Sequence, residues 1–202
     1  IFIVIYKLMH GIRKCMTLMT QSVMNFFYRF LFKKMDGVIE SPHQLLGCRY
    51  ISIGKNTRVY ENVILTAWNK YESQNFSPTI VIGENCNIGE HCHITACNRI
   101  EIGDGVLTGR YVYISDNSHG NPANVEEQNI SPSKRPLYCK GPVVIGNNVW
   151  IGERVCVMSG VKRQSRRSFI PSESTASLSR ANLSSILSSV RESTWLSPTL
   201  CT

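Results

Sequence analysis

Aliphatic residues recur every six positions through the middle of the chain. Ile53, Val59 and Leu65 form one run, and Ile82, Ile88 and Ile94 the next; Ile102, Thr108 and Ile114 follow, then Ile145, Ile151 and Val157. Glycine comes directly after the aliphatic at Gly54, Gly83, Gly89, Gly103, Gly146 and Gly152. Four residues after it, a small or β-branched side chain returns at Thr57, Val63, Cys86, Cys92, Val106, Val112, Val149, Val155 and Val161. A period of six fits neither the 3.6 of a helix nor the alternation of a simple hairpin. It fits a solenoid in which each hexapeptide makes a short strand and a turn, and three hexapeptides make one triangular coil. The aliphatic position then points inward and stacks on its equivalent one coil away. The small position fills the corner, which makes Cys86 and Cys92 packing residues rather than reactive thiols.

The pattern changes at both ends. Phe26, Phe27, Phe30, Leu31 and Met35 recur at threes and fours, so residues 1–36 are expected to be helical. Arg13, Lys14, Arg29, Lys33 and Lys34 punctuate that helix. Two readings are open for a segment 1–44: a cap covering the first coil, or an interfacial basic helix near anionic lipid. After Val161 the repeat demands an aliphatic at 163 and a glycine at 164, but the chain has Arg163 and Gln164. Residues 162–202 hold twelve serines and no glycine. The repeat domain is therefore expected over 45–161, interrupted by a long loop at 115–142, with a Ser/Arg-rich tail over 162–202.

Composition refines this outline. The 202 residues suit one domain, and 43% hydrophobic against 18% charged residues exclude general disorder. The net charge of +8 is unevenly placed. Residues 1–36 balance to +5 and 162–202 to +4, whereas 37–161 balance to −1. A nucleic-acid binder would carry its charge on the folded body, so no nucleic-acid partner is expected. No apolar run approaches the roughly 18 residues of a membrane span, and no signal-peptide cleavage site follows Ile1–Tyr6. Position 1 is Ile, consistent with numbering that starts inside a longer chain. Eight cysteines lack any Cys-x-x-Cys pair or zinc-finger spacing, which suggests reduced thiols and a cytoplasmic location, with contact at the inner membrane face as an extension.

Three stretches together carry a family resemblance: the Ile-Gly hexapeptides, Tyr113-Ile114-Ser115-Asp116-Asn117-Ser118-His119-Gly120, and Lys140-Gly141-Pro142-Val143-Val144-Ile145-Gly146-Asn147-Asn148-Val149-Trp150-Ile151-Gly152. The region from about Tyr50 to Val161 resembles the hexapeptide-repeat O-acetyltransferases. The nearest branch is the bacterial enzymes that acetylate surface-polysaccharide sugars, related to maltose and galactoside acetyltransferases. The resemblance implies an all-β, left-handed parallel β-helix with a helical N-terminal segment. It also implies a homotrimer with active sites between subunits, acetyl-CoA as donor, and a sugar or lipid-linked saccharide as acceptor.

Acetyl transfer to a hydroxyl needs a base for the hydroxyl proton and donors for the tetrahedral oxyanion. Neutral imidazole suits the first task. His119 directly follows the Ile114 strand and opens the longest interruption of the repeat. By resemblance it is the general base, with Asp116 shaping its loop; the bland alternative is an exposed turn histidine. Trp150, Gly152, Glu153, Ser159 and Gly160 are the donor-binding candidates that the resemblance implies. His91 and His93 flank Cys92 and are expected to point outward, lining an acceptor groove or facing solvent. Asn98 marks a slip of the register from six to eight between Ile94 and Ile102. Arg135 and Lys140 either meet a phosphate or are solvated loop charges. A zinc site like that of γ-type carbonic anhydrases needs three ligands, and His91 or His93 with His119 supplies two, so no metal is expected.

The tail departs from the family, in which this stretch continues the helix and contributes much of the coenzyme A contact. A frame slip near Val161 would explain it; a genuine flexible tail is the alternative. Three functions follow in order: O-acetylation of a sugar hydroxyl in polysaccharide biosynthesis, a non-catalytic solenoid lacking part of the donor site, and N-acetylation of an amino sugar.

Overall fold

The computed structural model describes residues 2–163; the expectations for residues 164–202 fall outside it. One helix, α1 (Phe2–Leu31), precedes a parallel β-helix whose short strands stack into three faces. Face A holds Lys34–Met35, Ile51–Ile53, Thr79–Ile82, Arg99–Ile102, Val143–Ile145 and Lys162–Arg163. Face B holds Val38–Ile39, Arg58–Val59, Asn87–Ile88, Leu107–Thr108 and Trp150–Ile151. Face C holds Gln44–Leu46, Ile64–Ala67, His93–Ala96, Tyr113–Ser115 and Cys156–Val157.

Register follows the repeat. Ile82 pairs with Ile53 and Ile102, Ile88 with Val59, and Ile94 with Leu65 and Ile114. These side chains are at most 2% exposed and form one continuous core. Each fully buried aliphatic contributes roughly 1.5–3 kcal/mol of transfer free energy, so the stack supplies the main driving force. The corner positions behave as the pattern predicts, with Val63, Cys86, Cys92, Val106 and Val112 all buried. Burial pushes the Cys86 and Cys92 thiols above their ordinary values, and each donates to a glycine carbonyl of the next coil. The Ile-Gly pairs have a steric cause. A Cβ on Gly83 would meet the Gly103 carbonyl at 2.7 Å, so successive coils stack this closely only without a side chain there.

Two of the three corners are regular. Between faces A and B the chain turns through left-handed backbone at Asn56, Asn85, Gly105 and Asn148; between B and C it does so at Asn62, His91, Tyr111 and Arg154. Each of these precedes an inward residue by three positions. The corner between C and A is where the chain departs from the repeat. It carries an antiparallel hairpin (Lys70–Tyr71 with Gln74–Asn75), a tight turn at Cys97 and Asn98, and the long excursion 116–142.

Both ends differ from the outline drawn by periodicity. The helix stops at Leu31, and residues 32–46 already form the first coil, with Met35 pairing with Ile53. Its inward residues Met35 and Ile39 are four apart instead of six and lack the following glycine, so the coil shows no repeat. At the other end the backbone stays in register to residue 163, where Arg163 lies opposite Ile145 on the ladder that reads Ile53, Ile82, Ile102 and Ile145.

Candidate active site

The excursions of the C-to-A corner meet over the outer side of face C. His119 lies in a short strand, Ser118–His119, which pairs antiparallel with Leu137–Tyr138 from the far end of the same loop. Gly120 then turns at φ 86°, and a Cβ there would meet Arg135 Cδ at 2.8 Å. The hairpin from two coils earlier grips this loop. Gln74 accepts from the Leu137 amide at 2.7 Å and donates to the Leu137 carbonyl at 3.2 Å.

The same hairpin orients the imidazole. The Tyr71 ring meets His119 edge-on, with centroids 5.5 Å apart, and its hydroxyl lies 3.4 Å from His119 Nδ1. That hydroxyl donates its single proton to the Ser133 carbonyl at 2.9 Å. The Tyr71 oxygen is therefore left as an acceptor for Nδ1–H. This tautomer leaves the lone pair on Nε2, which has no hydrogen bond among the described residues. His119 has no carboxylate partner among them either.

A cavity of about 220 Å³ opens beside this ring. Its walls are aromatic and polar: Trp68, Tyr71, His93, Tyr113, Asn117 and His119 among them. Thr66 also lines it. Thr66 is 2% exposed, and its hydroxyl is the one buried side-chain polar atom without a partner among the described residues. Trp68 Nε1 donates to Thr95 Oγ1 at 3.2 Å, which fixes the indole on the wall. Burial lowers the pKa of His93 below its ordinary value, favouring a neutral ring in edge contact with Tyr113 at 5.2 Å.

Asp116 is fully buried and does not touch His119. Its Oδ1 accepts from the Cys97 amide (2.9 Å) and from Asn117 Nδ2 (2.9 Å), and its Oδ2 accepts from the Asn98 amide (2.8 Å). It thus braces the tight corner of the preceding coil, at the two residues where the register slips. Cys97, Asp116 and Cys139 place one ligand atom each within 4.8 Å of one another. Burial, then the Asp116 charge and Cys139, push the Cys97 thiol up to about 12, which keeps it protonated.

The remaining candidates scatter. His91 sits at a left-handed corner, where it stacks on Tyr111 at 4.8 Å instead of lining the cavity; His93, two residues on, occupies the wall. Arg135 donates to the Ile130 and Gln128 carbonyls at 2.8 and 3.2 Å and so laces the loop to itself. Asn98 reaches Cys139 Sγ at 3.5 Å. Lys140, Ser159 and Gly160 do come together: Ser159 Oγ accepts from the Lys140 and Gly141 amides, and the Gly160 amide donates to Gly141. Trp150 lies on face B, 40% exposed and paired with Leu107, and Gly152 and Glu153 turn the corner beyond it. Within one chain these three are on a different face from His119.

The residues that periodicity did not point to are Tyr71, Gln74, Thr66 and Trp68. The first two belong to a hairpin with no repeat. Thr66, however, follows the inward Leu65 by one, so its outward position was computable.

Comparison with known proteins gives a partial likeness. Over 84 residues, 40% of this chain, it is 33% identical to WbbJ of Escherichia coli (strain K12), which is named as an O-acetyl transferase of lipopolysaccharide biosynthesis. The match covers 42% of WbbJ. No protein-family model matches the chain, and no solved structure matches it.

Proposed function

We propose that this protein is an O-acetyltransferase that moves an acetyl group from acetyl-CoA to a sugar hydroxyl in surface polysaccharide biosynthesis. The observation that carries this reading is the His119–Tyr71–Ser133 relay, which leaves Nε2 of an exposed imidazole without a hydrogen bond among the described residues at the mouth of a polar cavity. The likeness to WbbJ and the hexapeptide resemblance support the choice of acyl group and acceptor.

In this mechanism the acceptor hydroxyl lies in the cavity with its oxygen against Nε2. As that oxygen attacks the thioester carbonyl, Nε2 takes its proton, and Tyr71 stabilises the imidazolium through Nδ1–H. The tetrahedral intermediate collapses by breaking the C–S bond. The imidazolium then returns the proton to the coenzyme A thiolate, so the products are the acetyl ester and the free thiol. Thr66 offers a buried hydroxyl to a sugar hydroxyl that reaches the cavity floor, and the aromatic rings suit the apolar face of a sugar. Asp116 is a positioning residue in this scheme. The donor lies along Trp150, Gly152, Glu153, Ser159 and Gly160 as the resemblance implies; these reach a His119 site when subunits associate as a homotrimer.

The test is product analysis with acetyl-CoA and paired saccharides differing only in a hydroxyl or an amine. Base-labile ester on the hydroxyl acceptor is the expected product. Amide alone would move the reading to N-acetylation. No transfer to either, with no rise in melting temperature on adding acetyl-CoA, would favour the solenoid without a working donor site.

A further inference from the structure

We propose that helix α1 is a docking surface for an anionic lipid membrane, lying in the interface with its apolar stripe in the lipid and the β-helix on the aqueous side. This goes beyond the acetyl-transfer reading and does not depend on it.

The helix uses one stripe for the solenoid and leaves the opposite one open. Asn25 exchanges two 2.9 Å hydrogen bonds with the Ile39 backbone, and Tyr28 and Phe32 are buried against the first coil. On a 3.6-residue wheel, Gln21, Asn25 and Tyr28 share one side. Met9, Ile12, Met16, Met19, Val23, Phe26, Phe27 and Phe30 share roughly the opposite side, and each is between 52% and 73% exposed. Leaving eight large apolar side chains in water along a helix of 30 residues, about 45 Å long, calls for an apolar occupant. No helix among the described residues is long and apolar enough to cross a membrane, so α1 would lie along the surface rather than span it.

Charge selects the occupant. Residues 1–35 contain Lys7, Arg13, Lys14, Arg29, Lys33 and Lys34 and no Asp or Glu. Lys7, Arg13 and Arg29 are exposed. The three-four spacing of the stripe would also suit helix pairing with a second copy. In such a pair, however, the flanking Arg13 and Arg29 would meet only like charges, with no acidic residue to pair across the seam. A surface of anionic headgroups takes both the stripe and the cations.

The test is co-sedimentation of the full chain with phosphatidylcholine vesicles, with and without added phosphatidylglycerol. Binding to the anionic vesicles, weakened by salt, is expected. Replacing both Arg13→Ser and Arg29→Ser should weaken partitioning about thirtyfold. Met16→Gln with Val23→Gln should weaken it by more than about tenfold. Arg13, Met16 and Val23 face away from the β-helix, while Arg29 lies at its edge beside Val38 and Arg58; the melting transition of the solenoid, followed for each variant, reports that it is folded. Absence of binding, or equal binding to both vesicle types, would overturn the proposal. So would an oligomer that ignores vesicles and dissociates on the Met16→Gln, Val23→Gln change, since that result assigns the stripe to a second copy.

Discussion

The corners of this β-helix divide into two kinds, and the division separates the repeating core from the candidate site. The A-to-B and B-to-C corners each need one residue in left-handed backbone, three places before an inward side chain, and they repeat coil after coil. The C-to-A corner obeys no such rule. It spends a hairpin, a two-residue turn and a loop of some two dozen residues on successive coils. Because coils stack, excursions far apart in sequence become neighbours, as with Tyr71 and His119 at a separation of 48. A rigid stack of buried aliphatics tolerates long loops at one edge at little thermodynamic cost, and that edge is free to carry a site.

The largest effect separating the two regions is expected inside the stack. Ile88→Ala removes a fully buried side chain stacked on Val59 and should cost about 4 kcal/mol by denaturant unfolding, with the site geometry unaltered at the far corner. Next comes the hinge between the two regions. Asp116→Ala strips acceptors from the Cys97 and Asn98 amides and should cost about 3 kcal/mol, with Asp116→Asn intermediate because it keeps one oxygen. If Asp116→Ala unfolds no more easily than the wild type, the tight corner does not depend on this brace.

Smaller effects belong to the site itself. Tyr71→Phe removes the acceptor of Nδ1–H and the donor to Ser133, and should lower kcat about tenfold with KM and melting temperature little changed. A change confined to KM would place Tyr71 in acceptor binding rather than in orienting the base. The smallest effect concerns His93. Burial lowers its folded pKa, so the unfolded state binds the proton more readily. Its effect on stability is constant above the unfolded value of about 6.5, and stability falls as pH drops below that toward the depressed folded value. His93→Gln should flatten that part of the stability–pH curve.

The stacked region was legible in the sequence because it is written many times. Ile82, Ile88 and Ile94 each repeat the same local instruction, and the small corner positions at Cys86 and Cys92 agree with them. The first coil was missed because its inward residues Met35 and Ile39 are four apart instead of six, and neither is followed by glycine. The proposal of His119 rests on its motif, not its spacing, and its neighbour Tyr71 could not be read from either. Tyr71 lies in a non-repeating hairpin, and its pairing with His119 exists only once the coils are stacked. The choice between His91 and His93 was within reach of the phase alone. His91 precedes Ile94 by three and so sits at a corner, as Asn62 does before Leu65. His93 precedes Ile94 by one and so lies on the outer face of the strand.

The central claim is that His119 serves as the base at the irregular corner. The direct measurement is acetyl transfer to a saccharide hydroxyl by His119→Ala, at saturating acetyl-CoA and with the melting temperature followed in parallel. The account predicts a loss of about 10²–10⁴ in turnover with an unchanged melting temperature and an unchanged shift on adding acetyl-CoA. Undiminished turnover in a folded His119→Ala protein would contradict it.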